Sequence, residues 1–425
     1  MPPVGWYVLV LVAAGAVTAA VTWPARALSL RVGYVDWPTD RKMHTRAVPY
    51  GGGAAMLLGF LAAMIVAASI PALSNLFVSS SEPMGVVLAG AAIFAIGLID
   101  DVKEMSPPAK VAGQVLAASI LYFLGVTMYQ FKVPFAAFVV LNPGVTPLIT
   151  ALWVIAITNA INFIDGLDGL AAGVVAIAGG AMAVYGLRLM ELGTLPADNI
   201  GPLIACIACG VCLGFLPFNF PPAKIFMGDA GALFLGLLMS ACTMVIGGRT
   251  PPTSGVTYFF FAPLLIPLLI LGVPLLDMAF AFLRRTAQRR PFDHPDKDHI
   301  HHRLIRLGHG PRRSVVILWA WTALLSGFVL FPLFFHQVNA IIPFGAAALA
   351  IALYTFFHPG IRQQEAEAAD EAGAATAPGA GAATTGAGAE AGTAKGAGPG
   401  EALVMDGRGS SGNGGERRRP RHAAR

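Results

Sequence analysis

Charge is the scarcest property of this chain. Asp, Glu, Lys and Arg make up 12% of its 425 residues, and 56% are hydrophobic. Soluble domains carry about 25% charged residues, so a water-soluble globular fold is excluded. Cysteine is sparse as well, with only Cys206, Cys209, Cys212 and Cys242. The first three recur every third residue inside an apolar run, with no His or Asp beside them. They read as small buried residues of a membrane helix, and no disulfide framework is indicated. The short alternating segments of a membrane barrel are missing. No internal repeat supports an inverted-repeat transporter. A basic leader before the first apolar run is also lacking, so that run is expected to be a retained helix and not a removed signal peptide.

What the chain does have is length in its apolar runs. Mean hydropathy is +0.68. Eleven runs fall at about 5–24, 52–72, 85–100, 109–128, 146–163, 169–187, 199–217, 231–248, 257–282, 314–334 and 338–357. A bilayer core needs about 20 apolar residues per helix. The expected fold is therefore an all-α polytopic integral membrane protein with about eleven transmembrane helices. Of the 28 Lys and Arg, all but Lys132, Arg188 and Arg249 fall on one side of the implied bilayer. The positive-inside rule then puts the N-terminus outside and the C-terminus in the cytoplasm. The net charge of +5 is explained by topology, so no nucleic-acid partner is expected. Residues 1–358 are expected to form one membrane domain, and 359–425 an Ala/Gly-rich tail too poor in large apolar residues to bury a core. The Arg417, Arg418, Arg419 and Arg421 cluster there suits weak contact with anionic lipid.

A charge at a helix centre in lipid costs roughly 2.5–3.5 kcal/mol. Ionisable groups packed at helix ends therefore mark a built site, and five such clusters lie on the cytoplasmic side. Asp100 and Asp101 end the third run. Their mutual repulsion asks for a cation, either Mg²⁺ or a basic neighbour such as Lys110, although a solvated interfacial cap would look the same. Asn159, Asn162 and Asp165 form a stripe at every third residue, followed by Gly166, Asp168 and Gly169 at a tight turn. Interhelical hydrogen bonding alone accounts poorly for two Asn and two Asp so close together. Asn219, Phe226 and Asp229 lie between the seventh and eighth runs, where Asp229 serves either as a helix cap or as a hard oxygen ligand. Arg41, Lys42, His44 and Arg46 precede Gly51 and Gly52 at the second run and suit phosphate, as topology also requires. His299, His301, His302 and Arg303 sit in a basic loop that suits a diphosphate. Zinc is the rival there, but no Cys or clear third ligand accompanies the His299 and His302 pair.

Together these segments resemble the polyprenyl-phosphate N-acetylhexosamine-1-phosphate transferase superfamily, over roughly residues 30–310. The run from Pro295 to Leu304 and the Arg41-Lys42-Met43-His44 segment are similar to the bacterial branch that uses UDP-GlcNAc. The resemblance implies that Asn162 and Asp229 hold Mg²⁺, with Mn²⁺ an alternative, against the donor diphosphate. It implies that Phe226 stacks on uracil, that Asp168 and Asn219 lie near the uridine, and that Lys110 contacts phosphate. His299, His301, His302 and Arg303 would hold the diphosphate and sugar. Asp100 and Asp101 would serve the lipid phosphate, and Asp165 is grouped with them as catalytic. Ala232 departs from the small hydroxyl residue common at that position. The tail lies outside the resemblance.

The implied reaction transfers GlcNAc-1-phosphate from UDP-GlcNAc to undecaprenyl or decaprenyl phosphate, releasing UMP. It would occur at the cytoplasmic face of a bacterial plasma membrane, as the first membrane step of a cell-envelope polysaccharide. Homologues of this type are often homodimers. A phosphate monoester has a second pKa of about 6 and is mostly dianionic at neutral pH. Asp100 or Asp101 is therefore read as an orienting group, a base or an aid to Mg²⁺, with a covalent aspartyl route open. The rivals are a different UDP-N-acetylhexosamine donor and a lipid-linked sugar transporter, which would place polar residues at the bilayer midplane and on both faces.

Overall fold

Among the described residues, helices occupy the apolar runs with ends shifted by up to about eight residues, as where α1 runs to Val32 against an expected end at 24. The computed structural model describes residues 2–37, 47–132, 138–249, 272, 309–335 and 341–357. In chain order the helices are α1 (Val4–Val32), α2 (Gly52–Ser69), α3 (Asn75–Val78), α4 (Glu82–Lys103), α5 (Pro107–Phe123), α6 (Thr146–Ile164), α7 (Leu170–Glu191), α8 (Gly201–Asn219), α9 (Gly228–Gly247), α10 (Pro311–Phe334) and α11 (Ile341–Phe357). Eight of them, all but α3, α5 and α11, are long and apolar enough to cross a membrane. The described residues thus form a polytopic helical membrane protein. The ninth expected span, 257–282, lies outside the described residues apart from Gly272, and so does the expected tail, 359–425.

Local chemistry explains the boundaries. Proline opens α4, α5, α6, α8 and α10, where the missing N–H is not needed. Gly33 closes α1 in the left-handed conformation, with φ 75°. Two short antiparallel ribbons join helices: β1 (Val35–Asp36) with β2 (Val48–Pro49), and β3 (Gln130–Lys132) with β4 (Phe138–Val140).

The centre of the bundle is α9, which is buried along its apolar length and packs on α2, α4, α6 and α8. Lipid offers no hydrophobic drive for helix association, so close packing of small residues does the work. A Cβ on Gly214 would lie 2.1 Å from the Gly15 carbonyl oxygen, and one on Gly97 would lie 2.5 Å from Ala230 Cα. These contacts bring α1 against α8 and α4 against α9. The buried cysteines fit the same scheme: all four are free, and Cys206, Cys209 and Cys212 line α8. Among the described residues no group of three His, Cys, Asp or Glu side chains could hold a metal ion.

Contacts between helix termini define two ends of the bundle. The C-terminal ends of α1, α4, α6 and α8 meet the N-terminal ends of α2, α5, α7 and α9, and those predicted site residues that are described gather there. The opposite end holds an ion pair that fastens α4 to the segment after α9. Arg249 Nη1 lies 2.6 Å from Glu82 Oε1, and Arg249 Nη2 donates to the Gly125 carbonyl at 2.7 Å. Both side chains are largely shielded, at 17% and 10% exposure. Glu82→Gln therefore leaves a guanidinium without its counter-charge and is expected to cost roughly 3–5 kcal/mol. A lowered thermal midpoint of the purified protein checks this; an unchanged midpoint removes the pair from the stabilising contacts.

Candidate active site

Lys110 gathers the site. Pro107 starts α5, so the lysine falls in the first turn and faces the last turn of α4. Its ammonium lies 2.7 Å from Asp100 Oδ2 and is paired as well with Asp229 Oδ2. Asn162, in the last turn of α6, completes the group. With its amide set so that the oxygen faces the ammonium, that oxygen accepts from Lys110 Nζ at 2.9 Å and the nitrogen donates to Asp229 Oδ1 at 3.0 Å. One cation from α5 is thus held among two carboxylates from α4 and α9 and a carboxamide from α6. One turn deeper the same two faces meet again, where Asn159 Nδ2 donates to Gln114 Oε1 at 2.9 Å. Asp229 is the most open of the charged three, with 32% of its side chain exposed.

Asp100 and Asp101 diverge because successive helical residues point about 100° apart. Asp100 turns toward α5, and its Oδ1 also accepts from the Met105 amide at 2.6 Å. Asp101 turns toward α9, where it accepts from the backbone amides of Asp229 at 2.7 Å and Ala230 at 3.1 Å. The Tyr34 hydroxyl donates to the same carboxylate at 2.9 Å. Burial and the Asp101 charge push the Tyr34 hydroxyl well above its ordinary pKa.

The turn between α6 and α7 is pinned to the loop between α8 and α9. Asn219 is buried, and both ends of its amide are used: Oδ1 accepts from the Gly169 amide at 2.9 Å and Nδ2 donates to the Ile225 carbonyl at 3.0 Å. Asp168 Oδ2 accepts from the Ala223 amide at 2.8 Å. Asp165 sits between these elements, just past the end of α6. Desolvation, reinforced by the charges of Asp229, Asp101 and Asp168, holds its carboxyl well above the usual range.

The β1–β2 ribbon closes one side. The Phe226 amide donates to the Pro49 carbonyl at 2.9 Å, and the Gly52 and Gly53 amides donate to the carbonyls of Phe226 and Met227 at 3.0 and 3.1 Å. Tyr34, Tyr50 and Phe226 form a tilted chain of rings, with centroids 5.2 and then 6.2 Å apart. Beside Asp168 opens a groove of about 1020 Å³ lined by Arg26, Lys224, Arg312 and Arg313. Arg26 Nε donates to the Lys224 carbonyl at 3.0 Å and Arg312 Nε to the Pro221 carbonyl at 2.9 Å, which fixes two of the four cations at the rim.

Of the sequence-predicted residues, Asp100, Lys110, Asn162 and Asp229 meet in direct contact. Asp101, Asp165, Asp168, Asn219 and Phe226 surround them at the same end of the bundle. Arg41, Lys42, His44 and Arg46, and His299, His301, His302 and Arg303, lie outside the described residues. Tyr34, Gln114, Arg26 and Arg312 were not anticipated. Only Gln114 carried a signal, since it stands four residues after Lys110 on the same helical face.

The oxygen donors Asp229 and Asn162 suit a hard divalent ion. Mg²⁺ is commonly held by one or two carboxylates with the remaining positions left to water and substrate phosphate. The place between Asp100 and Asp229 already stabilises the Lys110 ammonium, so the local field favours positive charge. The donor set therefore fits such an ion when a diphosphate completes it.

Fold and site together define a multi-pass membrane protein with a charged, phosphate-suited centre at one end of its helix bundle. Residues 83–247 match the model of glycosyl transferase family 4. The chain is 37% identical over 355 residues to the decaprenyl-phosphate N-acetylglucosaminephosphotransferase of Mycobacterium tuberculosis, covering 80% of this chain and 86% of that relative. It is 33% identical over 339 residues to the probable undecaprenyl-phosphate N-acetylglucosaminyl 1-phosphate transferase of Bacillus subtilis, covering 79% and 84%. The undecaprenyl-phosphate alpha-N-acetylglucosaminyl 1-phosphate transferase of Thermotoga maritima is 28% identical over 270 residues, covering 63% and 72%. The chain belongs to glycosyl transferase family 4 and is a transferase.

Proposed function

We propose that this chain transfers GlcNAc-1-phosphate from UDP-GlcNAc to a polyprenyl phosphate, giving polyprenyl-diphosphate-GlcNAc and UMP. The observation that carries the reading is the Asp100–Lys110–Asn162–Asp229 cluster at one end of an apolar bundle, beside a basic groove. An anionic donor suits the groove, and a lipid acceptor is delivered by the bilayer around the helices. In the reaction an oxygen of the lipid phosphate attacks the phosphorus that bears the sugar. The bond from that phosphorus to the oxygen bridging to UMP breaks, and UMP leaves with the electron pair. The acceptor is already largely dianionic at neutral pH, so no strong base is required.

This chain's residues mainly position groups and balance charge, as phosphoryl transfer demands. Lys110 neutralises phosphate charge as it develops, with Asp100 holding the ammonium in place. Asp229 and Asn162 would hold Mg²⁺, which supplies charge neutralisation on the donor diphosphate. Phe226 offers a ring to a nucleobase, and Asp168 and Asn219 shape the adjoining turn. Asp165, whose carboxyl is held above the usual range by burial and the charges of Asp229, Asp101 and Asp168, lies beside the cluster at the end of α6. The His299, His301, His302 and Arg303 loop and the Arg41, Lys42, His44 and Arg46 segment supply further contacts to the diphosphate. The proposed topology has eleven spans, with the N-terminus outside, the site on the cytoplasmic face of a bacterial plasma membrane, and 359–425 on the cytoplasmic side. The predominance of Lys and Arg on that side supports this orientation.

The test uses the purified full-length protein in lipid with polyprenyl phosphate, Mg²⁺ and a panel of UDP-sugars. UMP release that needs both lipid phosphate and UDP-GlcNAc is expected. Faster turnover of another UDP-N-acetylhexosamine would move the donor assignment, and no release with any sugar would remove the reading.

A further inference from the structure

Asp100 and Asp101 are adjacent in sequence yet do different work. Asp101 spends its carboxylate on α9: Oδ1 accepts from the Asp229 amide, and Oδ2 accepts from the Ala230 amide and from the Tyr34 hydroxyl. These amides belong to the second and third residues of α9, in its first turn at the positive end of its dipole. The residue in the cap position, Met227, has no side-chain oxygen with which to satisfy them. The local glycines are fitted to the arrangement. Gly228 has φ 69°, and a Cβ there would lie 2.4 Å from Asp101 Oδ2. Gly97, one turn earlier on α4, lets that helix rest on Ala230.

We propose that Asp101 is a positioning residue: it is the N-terminal cap of α9, supplied in trans from α4 and locked by Tyr34, and it holds the Asp229 backbone where its side chain meets Lys110 and Asn162. The pair is thereby split. Asp100 faces the cluster through Lys110, whereas Asp101 acts through Asp229. The proposal rests on the reading of Asp229 as a group that faces substrate.

The experiment compares Asp101→Asn, Asp101→Ala, Tyr34→Phe and Asp100→Asn in the full-length protein, measuring the thermal midpoint, kcat and donor KM. An asparagine oxygen caps a helix nearly as well as a carboxylate. Asp101→Asn is therefore expected to retain kcat within about 10-fold, whereas Asp101→Ala loses about 100-fold or more with donor KM little changed. Asp101→Ala is also expected to melt below Asp101→Asn, while Asp100→Asn loses activity without that drop. Tyr34→Phe, which removes one of three bonds, is expected to cost only a few-fold. Should Asp101→Asn be as inactive as Asp101→Ala at a wild-type thermal midpoint, the carboxylate is chemically required and the proposal is overturned. Equal midpoints for Asp101→Ala and wild type would also overturn it. If Asp101→Ala does not fold, Asp101→Asn and Tyr34→Phe still decide the matter. If the wild-type protein itself releases no UMP, the functional reading has failed, and the order of midpoints tests the cap independently.

Discussion

Asp229→Asn is expected to lower turnover on the order of 10³-fold while leaving the protein inserted and folded. The geometry predicts both halves of that result. Asp229 Oδ2 is paired with the Lys110 ammonium, and Oδ1 accepts from the Asn162 amide. An asparagine removes the charge that a diphosphate-bound cation would meet and can set an N–H against one of these donors. Stability is spared because Lys110 keeps its 2.7 Å pair with Asp100, and because the cap on α9 contacts the backbone of residue 229, not its side chain. UMP release and the thermal midpoint of the purified variant check the two parts separately. Near-normal turnover would remove Asp229 from the centre of the site. A collapsed midpoint would show that the carboxylate is needed for folding before it is needed for chemistry.

Lys110→Gln is the second variant with a large expected effect, and it fails differently. Its removal leaves Asp100 and Asp229 facing one position with no cation between them. Removing one partner of a shielded ion pair costs about 3–5 kcal/mol, so the thermal midpoint is expected to fall as well as the rate. Loss of the ammonium from the developing phosphate charge is expected to lower kcat by roughly 10²-fold or more. The unpaired carboxylates should then accept an added divalent ion more readily. Mg²⁺ is accordingly expected to raise the midpoint of Lys110→Gln by more than it raises that of the wild-type protein. A thermal shift titration reads this without any turnover. Equal shifts in the two proteins would place the ion away from Lys110.

Legibility in the sequence followed the physics of each feature. Helix positions were readable because lipid requires about 20 apolar residues in a row and tolerates little else. That is why α6 and α7, expected at 146–163 and 169–187, lie at Thr146–Ile164 and Leu170–Glu191. Asp100, Lys110, Asn162 and Asp229 were readable because ionisable and amide groups beside a bilayer are costly unless they are used. Tyr34 was not readable: an aromatic residue at a membrane interface has reasons to be there that involve no carboxylate. Arg26 and Arg312 were hidden in the same way, since topology alone explains basic residues on that side.

The sequence by itself determined a helical membrane protein and the residue types of a phosphate-suited centre, because the cost of burying charge and unpaired backbone in lipid acts locally along the chain. Tertiary structure alone decided which of two adjacent aspartates meets Lys110 and which caps α9. That division depends on the angular direction of each side chain and on glycines close enough to let α4 touch α9, and neither is a property of one segment.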